Sequence, residues 1–191
     1  MRIVAGQFRG RALASVGKGD MGAHLRPTTD RVRESLFNVL THTGTLPDAR
    51  VLDLFAGTGA LGLEALSRGA TQVTFVDDGR PAQGLIRKNI EITRSAEQTR
   101  LLRLDATRLP QNPDAAYTLI FLDPPYGKDL GQKALKAALE GGWIDDDALI
   151  VWEENRPMPA PPGFAQEDQR RYGDTHISLM WRGHNTGSDN A

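Results

Sequence analysis

The four residues Asp123-Pro124-Pro125-Tyr126 are the group in this sequence whose types and order most suggest chemistry. Proline has no N–H and holds the residue before it in extended geometry, so the Asp123 carboxylate and the Pro124 carbonyl form a rigid pair of acceptors. Such a pair can hold both protons of an exocyclic amine on a planar ring and turn the nitrogen lone pair toward an electrophilic carbon. The Tyr126 ring offers a face for that planar ring. We therefore predict group transfer to a planar amine, with Asp123, Pro124, Pro125 and Tyr126 as catalytic residues.

A glycine turn forms a second candidate site. Gly57, Gly59 and Gly62 have the G-x-G-x-x-G spacing of dinucleotide-binding folds. The carboxylate of Asp53, which precedes this turn, opposes a pyrophosphate there because both groups are anionic. S-adenosylmethionine carries an ammonium and a sulfonium group and no phosphate, so the same carboxylate attracts it. The sign of this charge favours S-adenosylmethionine over a nicotinamide dinucleotide.

Carboxylates after the next two predicted strands complete the cofactor site. Asp77 is predicted to accept hydrogen bonds from the ribose hydroxyls, with its neighbour Asp78 as the alternative. Asp105 is predicted either to meet the adenine amino group or to serve as a turn residue. The full set of predicted cofactor-binding residues is Asp53, Phe55, Ala56, Gly57, Thr58, Gly59, Asp77 and Asp105.

Alternating strands and helices must position these residues. The hydrophobic pattern predicts strands at 51–55, 72–76, 99–104, 118–122 and 148–152. Helices are predicted at 61–66, 80–93 and 129–140. This order is typical of an α/β fold with a parallel sheet covered on both faces. Two further strands, at 166–172 and 175–181, flank Gly173-Asp174 and predict a carboxyl-terminal antiparallel hairpin, which gives a mostly parallel seven-stranded sheet.

The length of 191 residues is typical of one domain, predicted to span residues 1–182. Residues 1–40 form a basic arm and a helix, residues 50–182 form the catalytic sheet, and residues 183–191 are predicted to be a disordered tail. The helix is predicted to begin at Thr28-Thr29-Asp30. Its apolar face is formed by Val32, Leu36, Val39 and Leu40.

Composition excludes several classes of chemistry. The chain has no cysteine, which removes disulfides and thiolate chemistry, and its four histidines lack metal-ligand spacing. We therefore predict no metal. No apolar run is long enough to cross a bilayer or to form a signal-peptide core, which predicts a soluble cytoplasmic protein with no membrane partner.

The amino-terminal arm is basic. Residues 1–40 contain seven Lys and Arg against three Asp and Glu, whereas the whole chain has a net charge of −1. This asymmetry indicates either a contact with a polyanion or an ordinary solvated surface.

Several segments resemble a known family. The run from Asp53 to Gly59, followed by Asp123-Pro124-Pro125-Tyr126, resembles the cofactor and catalytic motifs of class I amino-methyltransferases, whose sheet is Rossmann-like. More narrowly, the chain is similar over nearly its whole length to the RsmD family, bacterial methyltransferases of guanine N2 in 16S ribosomal RNA of the small subunit. The segments that carry this similarity are Arg2-Ile3-Val4-Ala5-Gly6, the run from Arg26 to Glu34, Phe37-Asn38-Val39-Leu40 and Arg171-Tyr172-Gly173-Asp174-Thr175. Two departures are Asp77, where many relatives have Glu, and His24-Leu25 before Arg26.

The resemblance implies S-adenosylmethionine as cofactor, an assembled or assembling small subunit as partner, and a monomer. It implies that the basic arm contacts RNA phosphates, which position RNA without specifying its sequence. The implied RNA-binding residues are Arg2, Arg9, Arg11, Arg26, Thr28, Arg31 and Arg33. Arg26 and Thr28 alternatively close over the cofactor carboxylate or the target nucleotide. Because guanine N2 is recessed in a paired helix, the target base is expected to be splayed from a loop or flipped out.

Three alternatives remain open from sequence. Another amino-methyltransferase, acting on adenine N6 in DNA or RNA or on a protein glutamine, would use the same Asp-Pro-Pro-Tyr chemistry. A nicotinamide-dependent oxidoreductase would use the same glycine turn. A non-catalytic RNA-binding module would use the basic arm alone.

Overall fold

The computed structural model describes residues 1–15 and 29–183. The helices are α1 (Asp30–His42), α2 (Ala60–Ser67), α3 (Arg80–Thr93) and α4 (Leu130–Glu140), with short 3₁₀ turns at Ala96–Gln98 and Ala106–Arg108. The strands are β1 (Arg50–Leu54), β2 (Gln72–Val76), β3 (Thr99–Leu102), β4 (Tyr117–Leu122), β5 (Ile144–Glu154), β6 (Phe164–Tyr172) and β7 (Thr175–Arg182). In the described part of the chain they form one seven-stranded sheet in the order β3-β2-β1-β4-β5-β7-β6.

The sheet confirms the predicted fold class. Strands β1 to β5 pair in parallel, and β7 pairs antiparallel with both β5 and β6. Alternate side chains of β4 point to opposite faces: Leu119 and Phe121 pack with α1, α2 and α3, whereas Ile120 and Leu122 pack with α4. Helices therefore cover both faces of a sheet whose central strands are apolar on both sides.

The parallel register brings several strand ends to one edge of the sheet. Leu54 at the end of β1 pairs with Val76 of β2 and with Leu122 of β4. The residues that follow these strands therefore meet at the same edge. Since the strand order reverses between β1 and β4, this edge contains the topological switch point at which open α/β sheets bind ligands.

Strand bounds differ from the prediction, and β5 and β3 show the physical reasons. Strand β5 continues to Glu154 because Glu153 and Glu154 pair with Ile177 and His176 of β7, so the ladder extends past the apolar run. Strand β3 ends at Leu102 instead of residue 104. It lies at the sheet edge and pairs only with β2, whose last paired residue is Val76 opposite Leu102.

Residues 1–15, here called the amino-terminal hairpin, form a structure that the sequence did not indicate. Arg2 and Ala12 form an antiparallel bridge, and Ile3, Phe8 and Leu13 are buried. The segment predicted as a basic arm is thus packed against the body of the domain through apolar side chains.

Helix α1 begins as predicted, because the Thr29 side chain accepts a hydrogen bond from the Val32 N–H at its first turn. Arg26 and Thr28 lie outside the described residues, and so does the predicted tail at 183–191 apart from Gly183. In the described ranges, every helix is too short or too polar to span a bilayer.

Candidate active site

The glycine turn connects β1 to α2. Gly59 precedes α2 with a φ of +75°, a left-handed conformation that strains any residue with a Cβ atom. A Cβ at Gly62 would lie 2.5 Å from the Phe75 ring and 2.6 Å from Val73. Glycine at these positions therefore allows the turn itself and the close packing of α2 against the sheet.

Asp53 is buried beneath this turn, with 1% of its surface exposed. Its Oδ2 accepts a 3.0 Å hydrogen bond from the Gly62 N–H. Burial raises the pKa of Asp53 to about 8, the charge of Asp77 adds to this rise, and the Gly62 N–H opposes it. Ionisation of Asp53 is therefore costly unless a positive charge arrives beside it.

Asp77, rather than Asp78, is connected to the turn. Its Oδ2 accepts from the Gly57 N–H and its Oδ1 accepts from the Gly79 N–H, each at 2.9 Å. Burial raises the pKa of Asp77, and the two backbone donors lower it. Asp78 is exposed. Asp77 therefore has the position from which a carboxylate can reach a ribose bound above the turn.

Asp105 lies beyond the end of β3 and caps a 3₁₀ turn. Its Oδ1 accepts from the Thr107 hydroxyl at 2.7 Å and from the Thr107 N–H at 2.8 Å. These bonds lower the pKa of Asp105, so its carboxylate is ionised and held in place. Since 45% of the side chain remains exposed, the contact with an adenine amino group stays a prediction.

Asp123 leaves the sheet at the end of β4, next to β1. Its N–H donates to the Leu54 carbonyl at 3.4 Å. Burial raises the pKa of the Asp123 carboxyl well above its usual value, and the negative charges of Glu153, Asp53 and Glu154 raise it further. Asp123 is therefore one member of a group of acidic side chains gathered at this edge.

The ring of Tyr126 is held through its hydroxyl. The hydroxyl donates to Oε1 of Glu153 at 2.7 Å and lies 3.3 Å from the Thr175 hydroxyl oxygen. Burial and the charge of Glu153 raise the pKa of Tyr126, so the phenol keeps its proton at neutral pH. Thr175 begins β7, so the Arg171–Thr175 segment lies at the same edge as Asp123 and Tyr126.

Sequence reasoning missed Glu153 and Glu154, which are 6% and 4% exposed. Glu154 accepts a 3.3 Å hydrogen bond from the Gly127 N–H, just beyond the Asp-Pro-Pro-Tyr segment. One signal could have revealed both residues: they directly follow the predicted apolar strand at 148–152, as Asp77 and Asp123 follow the predicted strands at 72–76 and 118–122.

The predicted RNA-binding residues separate into distinct groups. Arg2, Arg9 and Arg31 are exposed. The half-buried Arg11 donates to the Ile92 carbonyl at 3.0 Å and has its guanidinium 5.1 Å from the centre of the Phe8 ring.

The prediction that Arg33 contacts RNA is wrong, because Arg33 is fully buried. It pairs with Asp30 at 2.7 Å, lies 3.6 Å from Glu64 and donates to the Arg2 carbonyl. Its charge is used inside the protein, where it connects α1, α2 and the amino-terminal hairpin.

The charges at this edge fit a cationic ligand. Asp53, Asp77 and Asp123 follow or end the neighbouring strands β1, β2 and β4, and the pKa of each is raised. A pyrophosphate placed here would meet carboxylates, whereas an ammonium or sulfonium would be stabilised by them. The described residues contain no group of three or more His, Cys, Asp or Glu side chains that could hold a metal ion.

Comparisons with known proteins agree with this geometry. The chain is 36% identical over 185 residues to ribosomal RNA small subunit methyltransferase D of Escherichia coli (strain K12), covering 95% of this chain and 90% of that protein. It is 37% identical over 179 residues to the Haemophilus influenzae protein of the same name, covering 91% and 89% of the two chains. The solved structure of yhhF from Escherichia coli superposes with a TM-score of 0.80 at 34% identity, covering 95% of this chain and 97% of that one. A protein-family model described as conserved hypothetical protein 95 matches residues 1–181. The chain therefore belongs to this family, the RsmD family, as its sequence motifs predicted.

Proposed function

We propose that this protein transfers a methyl group from S-adenosylmethionine to the exocyclic N2 of a guanine in 16S ribosomal RNA. The observation that carries the proposal is the position of the Asp123-Pro124 corner. It lies at the end of β4, directly beside β1, whose own end carries Asp53 and the glycine turn. This arrangement supports an amine bound at the Asp123-Pro124 corner beside a cationic methyl donor bound at the glycine turn.

The acidic residues at this edge fit the cofactor. Asp53 is buried beneath the turn, and Asp77 is attached to the Gly57 N–H, within reach of a ribose. When bound, S-adenosylmethionine supplies an electrophilic methyl group on a positively charged sulfur. The nearby positive charge lowers the pKa of Asp53 and Asp123, so these acids ionise as the site fills.

The chain's own residues then orient the target amine. The Asp123 carboxylate and the Pro124 carbonyl accept its two N–H groups, which directs the nitrogen lone pair away from the ring plane and toward the methyl donor. The Tyr126 ring stacks on the guanine. Because the amine is a weak nucleophile, positioning and charge stabilisation provide most of the catalysis.

Asp123 also handles the charge that develops. As the nitrogen–methyl bond forms and the sulfur–methyl bond breaks, the nitrogen becomes cationic and the Asp123 carboxylate stabilises it. The nitrogen must then lose one proton. A carboxyl with a raised pKa is a suitable acceptor for that proton, and solvent removes it afterward.

The choice of guanine as the target base and of the small subunit as the partner is inferred from the family to which the chain belongs. The Escherichia coli and Haemophilus influenzae relatives described above are named as methyltransferases of ribosomal RNA of the small subunit. Exposed Arg2, Arg9 and Arg31 are available for phosphate contacts, whereas Arg33 is not. A ribosomal RNA substrate implies a cytoplasmic enzyme, and we propose that it acts as a monomer on an assembled or assembling subunit.

The decisive experiment offers methyl-labelled cofactor with small subunits, naked 16S RNA, DNA and protein in parallel. We expect label in RNA, recovered as N2-methylguanosine after digestion to nucleosides. Label in N6-methyladenine or in glutamine would identify the other amino-methyltransferases. Thermal stabilisation by a nicotinamide dinucleotide, without stabilisation by S-adenosylmethionine, would identify the oxidoreductase, and RNA binding without turnover would identify a binding module.

A further inference from the structure

Asn89 of α3 joins two parts of the chain that are distant in sequence. It is fully buried, and its side-chain amide is fully used in hydrogen bonds. Oδ1 accepts from the Ala14 N–H at 2.7 Å, and Nδ2 donates to the Ala14 carbonyl at 3.0 Å. The second Nδ2 proton is donated to the Thr58 carbonyl at 2.8 Å. One side chain thus holds both polar groups of a hairpin residue and a carbonyl of the glycine turn.

The orientation of the Thr58 carbonyl affects the backbone conformation of that turn. Thr58 lies between Gly57, whose N–H donates to Asp77, and Gly59, which directly precedes α2 and has a positive φ. The Asn89 bond fixes the peptide that joins residues 58 and 59, and with it the direction of the neighbouring N–H groups. Helix α3 therefore stabilises, through Asn89, the backbone over which the cofactor is proposed to lie.

The amino-terminal hairpin is attached to the same region by further bonds. Glu64 of α2, which is fully buried, accepts from the Val4 N–H at 2.8 Å and from the Ala5 N–H at 3.0 Å. Ser67 accepts from the Phe8 N–H at 2.9 Å. The Thr58 hydroxyl lies 3.8 Å from the Met1 sulfur. These contacts place the hairpin against α2 and α3, the two helices that flank the turn.

We propose that Asn89 is a positioning residue for the cofactor: its amide connects the amino-terminal hairpin to the Thr58 carbonyl, so that hairpin docking and cofactor affinity are coupled. This inference rests on the proposed function, in which the glycine turn holds S-adenosylmethionine. Coupling between two sites is reciprocal, so cofactor binding must stabilise the Ala14–Asn89 pairing as much as that pairing favours the cofactor.

Removal of the Asn89 amide leaves the Thr58 carbonyl and the Ala14 groups without their buried partners. The turn then samples other conformations, and the cofactor has to order it on binding. We expect Asn89→Ala to weaken binding of S-adenosylhomocysteine at least about tenfold. Conversely, the ligand slows hydrogen exchange of the Ala14 N–H in the wild-type protein and does not do so in Asn89→Ala.

The test measures S-adenosylhomocysteine affinity by calorimetry and Ala14 amide exchange by NMR in the full chain. Thr93→Val is the matched control. Thr93 is also a buried polar residue of α3, 1% exposed, but its hydroxyl bonds lie within its own helix end, to Asn89 O at 2.8 Å and to the Ser95 hydroxyl at 2.7 Å. The Thr93→Val variant is expected to be less stable than wild type, while its affinity for S-adenosylhomocysteine stays within about twofold of wild type.

Equal affinity of Asn89→Ala and wild type, or an equal loss in Thr93→Val, overturns the coupling and leaves the proposed function intact. If Asn89→Ala does not fold, wild-type exchange decides: unchanged exchange of the Ala14 N–H on ligand binding overturns the proposal, and slowed exchange supports it. Failure of the wild-type protein to bind the ligand overturns the proposed function together with this inference.

Discussion

The hydroxyl of Tyr126 donates a 2.7 Å hydrogen bond to Oε1 of Glu153, a residue 27 positions away on the neighbouring strand. Glu153 is 6% exposed, so this bond forms in a poorly solvated place. It connects the segment that leaves β4 to the carboxyl end of β5 and limits rotation of the Tyr126 ring. The proposed stacking surface is therefore fixed before any base arrives.

Tyr126→Phe is expected to lower kcat for methyl transfer roughly tenfold, because a hydrogen bond of this kind contributes about 1–1.5 kcal/mol. Cofactor affinity stays unchanged, since the hydroxyl faces Glu153. The matched control is Tyr172→Phe, which removes a tyrosine hydroxyl that lies 2.9 Å from the Ser35 hydroxyl on α1. Single-turnover rates and cofactor titrations check the prediction; equal rate losses in both variants would contradict it.

Glu153→Gln is expected to move the acid limb of the pH profile of kcat/KM to lower pH. Glu153 is the charged neighbour with the largest effect on Asp123, and its negative charge raises the Asp123 pKa. In the proposed mechanism, transfer requires the Asp123 carboxylate, whose fraction rises with pH. A neutral amide at position 153 lowers the Asp123 pKa, so activity appears at lower pH, and the variant keeps an oxygen that accepts from Tyr126. An acid limb that stays in place would show that Asp123 ionisation does not control the rate.

Asp123→Asn and Asp123→Ala are expected to reduce transfer by at least about 10²–10³, the usual cost of losing a group that stabilises transition-state charge. In the proposed mechanism Asp123 contacts the amine and not the glycine turn, so affinity for S-adenosylhomocysteine, whose sulfur is uncharged, is expected to change by less than about threefold in both variants. Retained turnover in Asp123→Ala would contradict the proposed mechanism. Isothermal titration with S-adenosylhomocysteine, beside the rate assay, separates loss of chemistry from loss of binding.

Asp53→Asn is expected to change how stability depends on pH. The Asp53 pKa is about 8 in the folded protein against an ordinary value of 3.8, so the folded state keeps a proton that the unfolded state has lost. Between these values, Asp53 lowers the free energy of unfolding by about 1.4 kcal/mol for each unit that the pH rises. The Asn variant lacks this contribution, so its stability advantage over wild type grows from pH 5 to about pH 8. Denaturant unfolding at several pH values checks this, and parallel curves for the two proteins would refute it.

The same Asp53→Asn variant is expected to bind S-adenosylmethionine more weakly. The proposed role of Asp53 requires its ionised form, which burial disfavours in the empty site and which a cationic cofactor would stabilise. A variant that is more stable at pH 8 and binds the cofactor as well as wild type would show that Asp53 serves another purpose.

Arg33→Ala and Arg31→Ala are expected to separate structure from RNA binding. Removal of Arg33 takes a positive charge away from Asp30 and from the buried Glu64, which still pairs with Arg68 at 2.8 Å, and is expected to cost about 3 kcal/mol of stability. Arg31 is exposed, so Arg31→Ala changes stability by less than about 0.5 kcal/mol. It weakens RNA binding and lowers the salt slope by about 0.7–0.9 for each lost phosphate contact. Denaturant unfolding and RNA titrations at several salt concentrations measure both; an unchanged salt slope in Arg31→Ala would exclude Arg31 from the interface.

The sequence by itself determined the fold class and the edge of the sheet at which the predicted acidic residues gather. Hydrophobic periodicity predicted the alternating strands and helices, since that signal is local. Asp53, Asp77 and Asp123 were identifiable because each ends or follows a parallel strand, and parallel strand ends meet at one edge. The Asp-Pro-Pro-Tyr segment predicted a rigid corner because proline restricts its own backbone and that of its neighbour.

Only the tertiary structure decided which charged and polar side chains are buried and what they contact. Arg33 is a charged residue in a polar part of α1 and would be expected on a solvated face, yet Glu64 and the amino-terminal hairpin enclose it. Glu153 reaches Tyr126, and Asn89 reaches Thr58, only because the strands and helices that carry them become neighbours in the folded domain. Burial and long-range hydrogen bonds depend on the packing of distant segments, and a local pattern of residue types does not encode that packing.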